Sequence, residues 1–388
     1  MTYTLLATAP LGLEAVVARE VQELGYGPQA VENGRVLFSA DALGIARANL
    51  WLRAADRVHL VAGRFAARTF AELFDGTAAL PWADWLPRDA RFPVAGRTRQ
   101  SALASAPACQ SIVKRAIVKS MERRYRQSWF DETGAAFAVE VSLLNDVALL
   151  TLDTSGPGLH KRGYRIDGGP APIKETLAAA LVLLSRWGPH RPFADPLCGS
   201  GTIPVEAALL ARGMAPGRLR AFAAEAFPWV GAQAFAAARE EAEDRVRRDA
   251  ELDIEASDID AGAVACAREP ARRAGVGADI RLSARALQDF AARRDYGCMI
   301  VNPPYGERLG DERAAREVSA ELGQIRERCP TWSLFALAAD PQFERHFGRR
   351  ADKNRKLYNG RIECRLHQYL GPLPPQTGRP APSGEAGA

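Results

Sequence analysis

The sequence has few of the features that mark secreted, membrane-spanning or metal-binding proteins. It contains six cysteines in 388 residues, with no Cys-x-x-Cys pair and no histidine at metal-ligand spacing. No stretch approaches the roughly 20 apolar residues of a membrane span, and the first residues lack a basic segment leading into an apolar signal. We therefore expect buried reduced thiols, no metal, no membrane association and a cytoplasmic location.

The composition is typical of a globular protein, and the positive net charge permits an acidic binding partner. Hydrophobic residues make up 47% of the chain and charged residues 25%, and the net charge is +5. Between Arg97 and Arg126, eight basic residues accompany a single acid, Glu122. A solvated helix face is the ordinary explanation, but the excess of one sign favours contacts with nucleic-acid phosphates. The candidates are Arg97, Arg99, Lys114, Arg115 and Lys119.

The order of segments predicts three domains and a tail. Residues 1–65 alternate strand, helix, strand, helix and strand, and residues 66–155 form a second small α+β unit. Residues 156–371 begin with a linker rich in glycine and proline and continue with alternating β and α segments. Asn359-Gly360 between β-prone flanks predicts an antiparallel hairpin that closes this last sheet. Residues 372–388 are expected to be a disordered tail.

A glycine-rich turn predicts a cofactor site. The segment from Asp195 to Thr202 follows a short apolar strand and precedes a helical pattern. Its glycines would let the backbone approach a ligand at the carboxyl end of a strand. The spacing fits neither a P-loop nor a dinucleotide fingerprint, and Asp195 would repel a pyrophosphate but could accept hydrogen bonds from an ammonium group. S-adenosylmethionine is therefore the predicted cofactor.

Two further acids extend this prediction. Asp258 ends the second predicted strand of the same domain, where such sheets bind ribose hydroxyls. Asp260 is either a second cofactor contact or the N-cap of the next helix. Cys198 lies within the turn, but no neighbouring acid or histidine in the sequence is suited to activate it as a nucleophile.

A tetrapeptide about a hundred residues after the turn predicts the chemistry. It consists of Asn302, Pro303, Pro304 and Tyr305, and it follows the fourth predicted strand. The prolines remove two amide donors, so the Asn302 side chain and the Pro303 carbonyl could accept the two hydrogens of an exocyclic amine. Tyr305 could stack on the base. A simple turn is the alternative, but the upstream glycine-rich turn favours methyl transfer to a base.

Four motifs together resemble those of a known family, the THUMP-domain RNA methyltransferases of bacteria that modify guanine N2 in large-subunit ribosomal RNA. The motifs lie at residues 159–165, 171–178, 195–202 and 302–309. The resemblance implies ferredoxin-like and THUMP domains, both α+β, before a Rossmann-like α/β domain with a mainly parallel sheet and a C-terminal antiparallel hairpin. It also implies that 23S rRNA or a large-subunit assembly intermediate is the partner. The cofactor residues it implies are Lys174, Glu175, Thr176, Asp195, Cys198, Gly199, Gly201, Thr202 and Asp258.

Some assignments stay open at this point. The third strand of the family often ends in an acid that binds adenine, but here Leu287, Gln288 and Asp289 occupy that neighbourhood. A transfer-RNA guanine methyltransferase is the nearest alternative function. The Asn-Pro-Pro-Tyr motif suits the adenine N6 amine of DNA equally well, and a non-catalytic RNA-binding factor could keep the same fold.

Overall fold

The computed structural model describes residues 1–165, 173–304 and 312–375. Most of the described chain folds into two seven-stranded sheets covered by helices. The strands are β1 (Tyr3–Thr8), β2 (Pro28–Glu32), β3 (Arg35–Ala40), β4 (Arg57–Ala66), β5 (Val94–Arg99), β6 (Val139–Leu144), β7 (Val147–Asp153), β8 (Phe193–Asp195), β9 (Ile254–Asp258), β10 (Ile280–Ala284), β11 (Cys298–Val301), β12 (Ser333–Ala338), β13 (Lys353–Asn359) and β14 (Ile362–Tyr369). The helices are α1 (Glu14–Glu23), α2 (Ala42–Trp51), α3 (Phe70–Ala78), α4 (Trp82–Trp85), α5 (Ala106–Tyr125), α6 (Glu175–Ser185), α7 (Thr202–Ala211), α8 (Ala232–Asp244), α9 (Ala261–Arg273), α10 (Glu312–Arg328) and α11 (Phe343–Phe347).

The first sheet runs through the first two predicted units without a break. Its strand order is β2-β3-β1-β4-β7-β6-β5. Residues Arg57 to Leu60 of β4 pair with β1, and residues His59 to Ala66 pair with β7, with a register shift between Val61 and Gly63. The predicted boundary at residues 65 and 66 therefore falls at the end of a strand that both units share. Because β4 is hydrogen-bonded on both sides, the two units form one rigid surface.

The second sheet has the mixed topology that the sequence predicted. Its order is β10-β9-β8-β11-β12-β14-β13, with parallel pairing from β10 to β12. The antiparallel hairpin β13–β14 then pairs with β12. The prediction of a mainly parallel α/β sheet closed by an antiparallel hairpin is confirmed. Since β9 and β10 lie on one side of β8 and β11 on the other, the chain reverses direction across the sheet between β8 and β11, which is where such sheets bind ligands.

Several local predictions need correction. Strand β2 was missed because it is a short edge strand that begins with a proline and has no strong alternation. The β-prone segment from Arg91 to Ala95 predicts a strand, but β5 begins only at Val94, since Pro93 has no amide to donate to a neighbouring strand. In the predicted hairpin, Asn359 is the last residue of β13, and the loop is formed by Gly360, at φ 65°, and Arg361.

The two sheets are joined by buried apolar and polar contacts. The main core cluster continues from Leu5 in the first sheet to Leu366 in the second, and a second cluster covers the other face of the second sheet. Phe137 stacks on Phe227 with ring centroids 4.3 Å apart. Arg47 on α2 pairs with Glu241 on α8 at 2.5 Å. In the described part of the chain, no helix is long and apolar enough to cross a membrane.

Candidate cofactor and target-base site

The glycine-rich turn connects β8 to α7 at the carboxyl end of the second sheet. Gly199 and Gly201 adopt positive φ values of 48° and 74°. A Cβ at Gly199 would meet nothing within 4 Å, whereas a Cβ at Gly201 would lie 2.9 Å from the Cβ of Ala267 on α9. Gly201 is thus required for packing, and Gly199 leaves open space over the turn.

Asp195, the last residue of β8, is a buried carboxyl group at the base of this turn. It is 1% exposed, and its Oδ1 accepts a hydrogen bond from the Leu197 amide at 3.2 Å. Burial raises the pKa of Asp195 well above its usual value, the Leu197 amide opposes the rise, and the charge of Asp258 adds to it. Among the described residues, no cation pairs with Asp195. A bound ammonium group would supply that missing positive charge and favour the ionised carboxylate.

The two acids after β9 have different positions. Asp258 accepts the Gly199 amide on Oδ2 at 2.9 Å and the Asp260 amide on Oδ1 at 3.0 Å. It therefore fixes the glycine-rich turn against the neighbouring strand while remaining partly exposed. Asp260 is exposed and is the N-cap of α9, where its Oδ1 accepts the Gly262 amide at 2.8 Å. The N-cap alternative is what the structure shows for Asp260.

Cys198 has no character of a nucleophile. Burial raises the pKa of its thiol far above the usual value, and the charges of Asp195 and Asp258 raise it further. Its backbone is used in the turn, because its amide donates to Ser257 and its carbonyl accepts from Gly201. A thiol without thiolate character is inert, so Cys198 is a structural residue of the turn.

Residues 174–176 begin helix α6 beside the turn, but they do not share one environment. Lys174 is the exposed N-cap residue, whereas Glu175 is 4% exposed and Thr176 is fully buried. Glu175 pairs with Arg165 at 3.3 Å, and Arg165 also donates to the Thr202 hydroxyl at the start of α7. Arg165 thereby joins α6 to the cofactor turn. It was not among the predicted site residues, although it lies in one of the motifs that carry the family resemblance.

A second link behind the turn is a buried ion pair. Arg162 and Glu206 are 2% and 0% exposed, with Nε and Oε1 3.4 Å apart. The Tyr164 hydroxyl donates to the same Oε1 at 2.9 Å, and Arg162 also donates to the carbonyls of Leu159 and Arg53. Glu206 lies on α7, one turn after Thr202. The first sheet and the segment before α6 are thus held to the helix that begins at the cofactor turn.

The residues proposed near adenine form a short 3-10 turn after β10. Leu287 is buried and packs in the second core cluster with Ala194, Met299 and Val301. Gln288 and Asp289 are exposed. Among these three candidates, Leu287 therefore anchors the turn in the core, and only Gln288 and Asp289 present their side chains to solvent.

Asn302 follows β11 directly at the carboxyl end of the sheet. Strand β11 pairs with β8, which leads into the cofactor turn, so the motif and the turn lie at ends of adjacent strands. Asn302 and Pro304 are partly exposed, and Pro303 is buried. Tyr305 and residues 306–309 of the motif lie outside the described residues. Among the described residues, no group of His, Cys, Asp or Glu side chains is arranged to hold a metal ion.

The five predicted nucleic-acid contacts do not share one surface. A Cβ at Gly96 would touch Gln110 of α5, so its neighbours Arg97 and Arg99 on β5 point to the opposite face of the sheet. Arg115 and Lys119 are exposed on α5. Lys114 is partly exposed, and its ammonium group pairs with Glu132 at 2.5 Å and lies 3.6 Å from the centre of the Phe92 ring. Lys119 pairs with Glu122 at 2.9 Å.

Comparison with protein families agrees with this geometry. Residues 162–368 match the RMKL-like methyltransferase domain, residues 4–59 the RlmL ferredoxin-like domain and residues 67–153 the THUMP domain. The first of these matches covers more than half of the chain. The chain belongs to the THUMP-domain RNA methyltransferases of the RlmL type. The predicted ferredoxin-like and THUMP domains before an α/β methyltransferase domain are thereby confirmed.

Curated relatives of this THUMP methyltransferase carry related names. It is 50% identical to "Putative RNA methyltransferase YpsC" of Bacillus subtilis, over 96% of this chain and 97% of that protein. It is also 35% identical to "Ribosomal RNA large subunit methyltransferase K/L" of Syntrophotalea carbinolica, over 94% of this chain but only 53% of that longer protein. A shared family is established by these relatives, and the target nucleotide is a separate question.

Solved structures of similar proteins share its architecture. A protein from Listeria monocytogenes described as a "predicted N6-adenine-specific DNA methylase" is 52% identical, with a TM-score of 0.92 over 96% of this chain and 97% of that chain. The protein SMU.472 in complex with SAH is 46% identical, with a TM-score of 0.91 over 96% of this chain and 99% of that chain. SAH is the demethylated product of S-adenosylmethionine. The THUMP methyltransferase is therefore an S-adenosylmethionine-dependent enzyme, as the turn predicted.

Proposed function

We propose that this THUMP methyltransferase transfers a methyl group to the exocyclic N2 amine of a guanosine in 23S rRNA. The observation that carries the proposal is the position of Asn302. It follows β11 beside the β8 turn, with two prolines after it that have no amide hydrogens to compete for acceptors. An amine held by the Asn302 side chain and the Pro303 carbonyl would face the cofactor side of the sheet.

The cofactor would be held by the residues around the turn. Asp195 supplies a buried carboxyl group for the ammonium group, Gly199 leaves room over the backbone, and Asp258 presents a partly exposed carboxylate for ribose hydroxyls. Gly201, Thr202 and the backbone of Cys198 shape the turn itself. Glu175 and Thr176 would close one side, while Gln288 and Asp289 stay candidates for the adenine end. S-adenosylmethionine supplies an activated methyl group that needs no metal for its transfer.

The protein side chains would accelerate transfer by orientation. An exocyclic amine is a weak nucleophile because its lone pair is delocalised into the ring. Two acceptors on its hydrogens favour a pyramidal nitrogen and point the lone pair away from the ring plane. The target base has to leave its stack to reach Asn302, and stacking on Tyr305, as predicted, would offset part of that cost.

Ribosomal RNA is the preferred substrate for two reasons. The N-terminal region matches the RlmL ferredoxin-like domain, and a relative 35% identical is named as a large-subunit ribosomal RNA methyltransferase. The THUMP match supports RNA as the partner. An adenine-N6 DNA methyltransferase is a second candidate, because the similar Listeria monocytogenes structure carries that description. A tRNA guanine-N2 methyltransferase is a third outcome of the same experiment.

The test is a parallel substrate assay. Purified protein and labelled S-adenosylmethionine are incubated with undermodified large-subunit rRNA, tRNA and duplex DNA, and the methylated nucleoside is identified by mass spectrometry. We expect N2-methylguanosine from rRNA, with Asn302→Ala reducing the rate about 100-fold or more and SAH affinity unchanged. Asn354→Ala, an exposed asparagine on β13, serves as the matched control. N6-methyladenine from DNA, or full activity of Asn302→Ala, would overturn the proposal.

A further inference from the structure

Four basic or potentially basic side chains lie together where the first sheet meets the methyltransferase domain. Lys161 and Lys174 are exposed, and His160 and Arg220 are half-buried. Both lysines, together with Arg162 and Arg220, act electrostatically on the His160 ring. We refer to His160, Lys161, Lys174 and Arg220 as the linker cluster. None of its members except Lys174 belongs to the cofactor site predicted from the sequence.

The backbone that carries the linker cluster is held rigidly. The Leu159 amide donates to the Asp56 carbonyl at 2.8 Å, and the Lys161 amide donates to the Gly158 carbonyl at 3.0 Å. Arg220 donates to the carbonyls of Gly158 at 2.6 Å and Lys161 at 3.1 Å. Arg162 points inward to Glu206, so the adjoining Lys161 is presented outward from a fixed turn.

Positive charge in the linker cluster exceeds the negative charge around it. Burial first, and then the charges of Lys174, Lys161, Arg162 and Arg220, lower the pKa of His160 to about 4, so its ring is neutral near pH 7. The nearby acids Asp153 and Glu206 pair with Arg57 and Arg162 respectively. Asp56 is a further nearby carboxyl group, and the charges of Lys174 and Arg57 act on it. Within residues 1–165, 173–304 and 312–375, neither Lys161 nor Lys174 has an ion-pair partner.

The linker cluster is connected to the cofactor turn by a short chain of contacts. Lys174 directly precedes Glu175, which pairs with Arg165, and Arg165 donates to Thr202 at the start of α7. On the other side, Lys161 directly precedes Arg162, which pairs with Glu206 on the same helix. A polyanion bound by the two lysines would therefore be positioned relative to the cofactor turn.

We propose that Lys161 and Lys174 bind phosphate groups of the substrate RNA next to the nucleotide that is methylated. This inference rests on the proposed function, since it assumes an RNA substrate. Contacts from basic side chains to phosphates fix the register and orientation of a bound strand without reading its sequence, which is the role that two exposed lysines can have here. The neutral His160 ring, on which both lysines act, adds a hydrogen-bonding group without repelling either lysine.

The experiment compares charge-removing variants with a matched control. Lys161→Ala, Lys174→Ala and the double variant are compared with Lys353→Ala, which removes an exposed lysine from β13. Binding of a fluorescein-labelled RNA hairpin is measured by anisotropy from about 50 to 300 mM KCl, a sixfold range over which the logarithm of the binding constant should fall linearly with the logarithm of the salt concentration. Methylation of undermodified rRNA gives KM and kcat, calorimetry gives SAH affinity, and thermal unfolding confirms folding.

We expect each single variant to raise KM for rRNA about fivefold and to reduce the salt slope of hairpin binding by about 1. SAH affinity and melting temperature of Lys161→Ala, and all values of Lys353→Ala, should match those of the wild type. Lys174 is also a predicted cofactor residue, so its variant is judged by the salt slope of hairpin binding, and Lys161→Arg with Lys174→Arg should restore binding. Equal KM and equal salt slope in the double variant and the wild type would overturn this inference alone. Wild-type protein that methylates only DNA would overturn the proposed function, and the salt slopes would still decide whether the lysines bind RNA phosphates.

Discussion

Glu206 provides the strongest stability prediction. Its carboxylate is fully buried and is the countercharge of Arg162, which is 2% exposed, while Tyr164 donates a hydrogen bond to it. Arg53, which is 6% exposed, also depends on it, because burial lowers the pKa of Arg53 to about 10 and the charge of Glu206 opposes that fall. Glu206→Leu would remove the carboxylate that pairs with Arg162 and leave the two buried guanidinium groups with the charges of Glu20 and Glu175.

The expected cost follows from the burial of both partners. Removing one member of a buried ion pair typically costs about 3–5 kcal/mol, because the other charge stays buried without compensation. The Tyr164 hydroxyl loses its acceptor, which adds about 1 kcal/mol or more. The carbonyls of Leu159 and Arg53 still accept from Arg162 and limit the loss. We therefore expect Glu206→Leu to lower the free energy of unfolding by about 4 kcal/mol, and Glu206→Gln by less, since its amide oxygen can still accept from Tyr164.

Urea unfolding at pH 8, followed by tryptophan fluorescence, measures this change. The matched control is Glu269→Leu, which replaces a glutamate of an exposed pair with Arg272 on helix α9. We expect the control to keep the wild-type midpoint, because exposed pairs contribute little to stability. If the urea midpoints of Glu206→Leu and Glu269→Leu agree, the buried Arg162–Glu206 pair does not stabilise the contact between the first sheet and helix α7.

Three further predictions concern the cofactor turn and pH. Gly199→Ala should weaken SAH binding in calorimetry and lower stability by about 1 kcal/mol, because its φ is positive. Gly201→Ala should lower the melting temperature more than Gly199→Ala does, because a Cβ at Gly201 would also lie 2.9 Å from Ala267. Equal melting temperatures of the two variants would contradict this. Cys198→Ala should keep the methylation rate within about twofold of wild type, because the raised pKa of the Cys198 thiol leaves no thiolate. A hundredfold loss of rate would instead indicate that Cys198 is catalytic. Burial raises the pKa of Glu20 from 4.5 to about 7 against the opposing Arg53 and Ala54 amides, so the folded state holds the proton more tightly. Stability from Glu20 is then present below about pH 4.5 and lost as pH rises through about 7, by about 3 kcal/mol. Between pH 5 and 8, the urea midpoint of Glu20→Gln should therefore fall less with rising pH than that of the wild type. An equal fall in both proteins would contradict the role of Glu20.

The cofactor turn and the sheet could be predicted because their signals are local. Glycine and acid at fixed spacing after an apolar strand determine the turn, and the alternation of β and α segments determines a mainly parallel sheet. The C-terminal hairpin was equally clear from Asn359-Gly360, although the strand extends through Asn359. Edge strand β2 and the start of β5 were missed because a proline weakens the local pattern at each.

Long-range pairing could not be predicted in the same way. Arg162 and Glu206 are 44 residues apart in the chain, and each alone looks like an ordinary surface residue of its segment. Lys114 likewise belongs to a basic run, yet it pairs with Glu132 and lies over the Phe92 ring. A charge run shows its sign in the sequence, but acids from distant segments, such as Glu132 and Glu140, pair with some of its members, and the fold is needed to show which.

These buried contacts give a physical reason for the arrangement of the RNA-binding half and the cofactor site. Arg53, at the end of α2 in the first sheet's layer, accepts from Arg162 through its carbonyl and donates to the Met214 carbonyl after α7. Arg162 in turn pairs with Glu206 on α7, the helix that starts at the cofactor turn. A displacement of the first sheet relative to α7 would break these contacts. A charge would then remain buried without a partner, which lowers the free energy of unfolding. The position of the THUMP surface relative to the carboxyl ends of β8 and β11 is therefore coupled to the integrity of the turn itself.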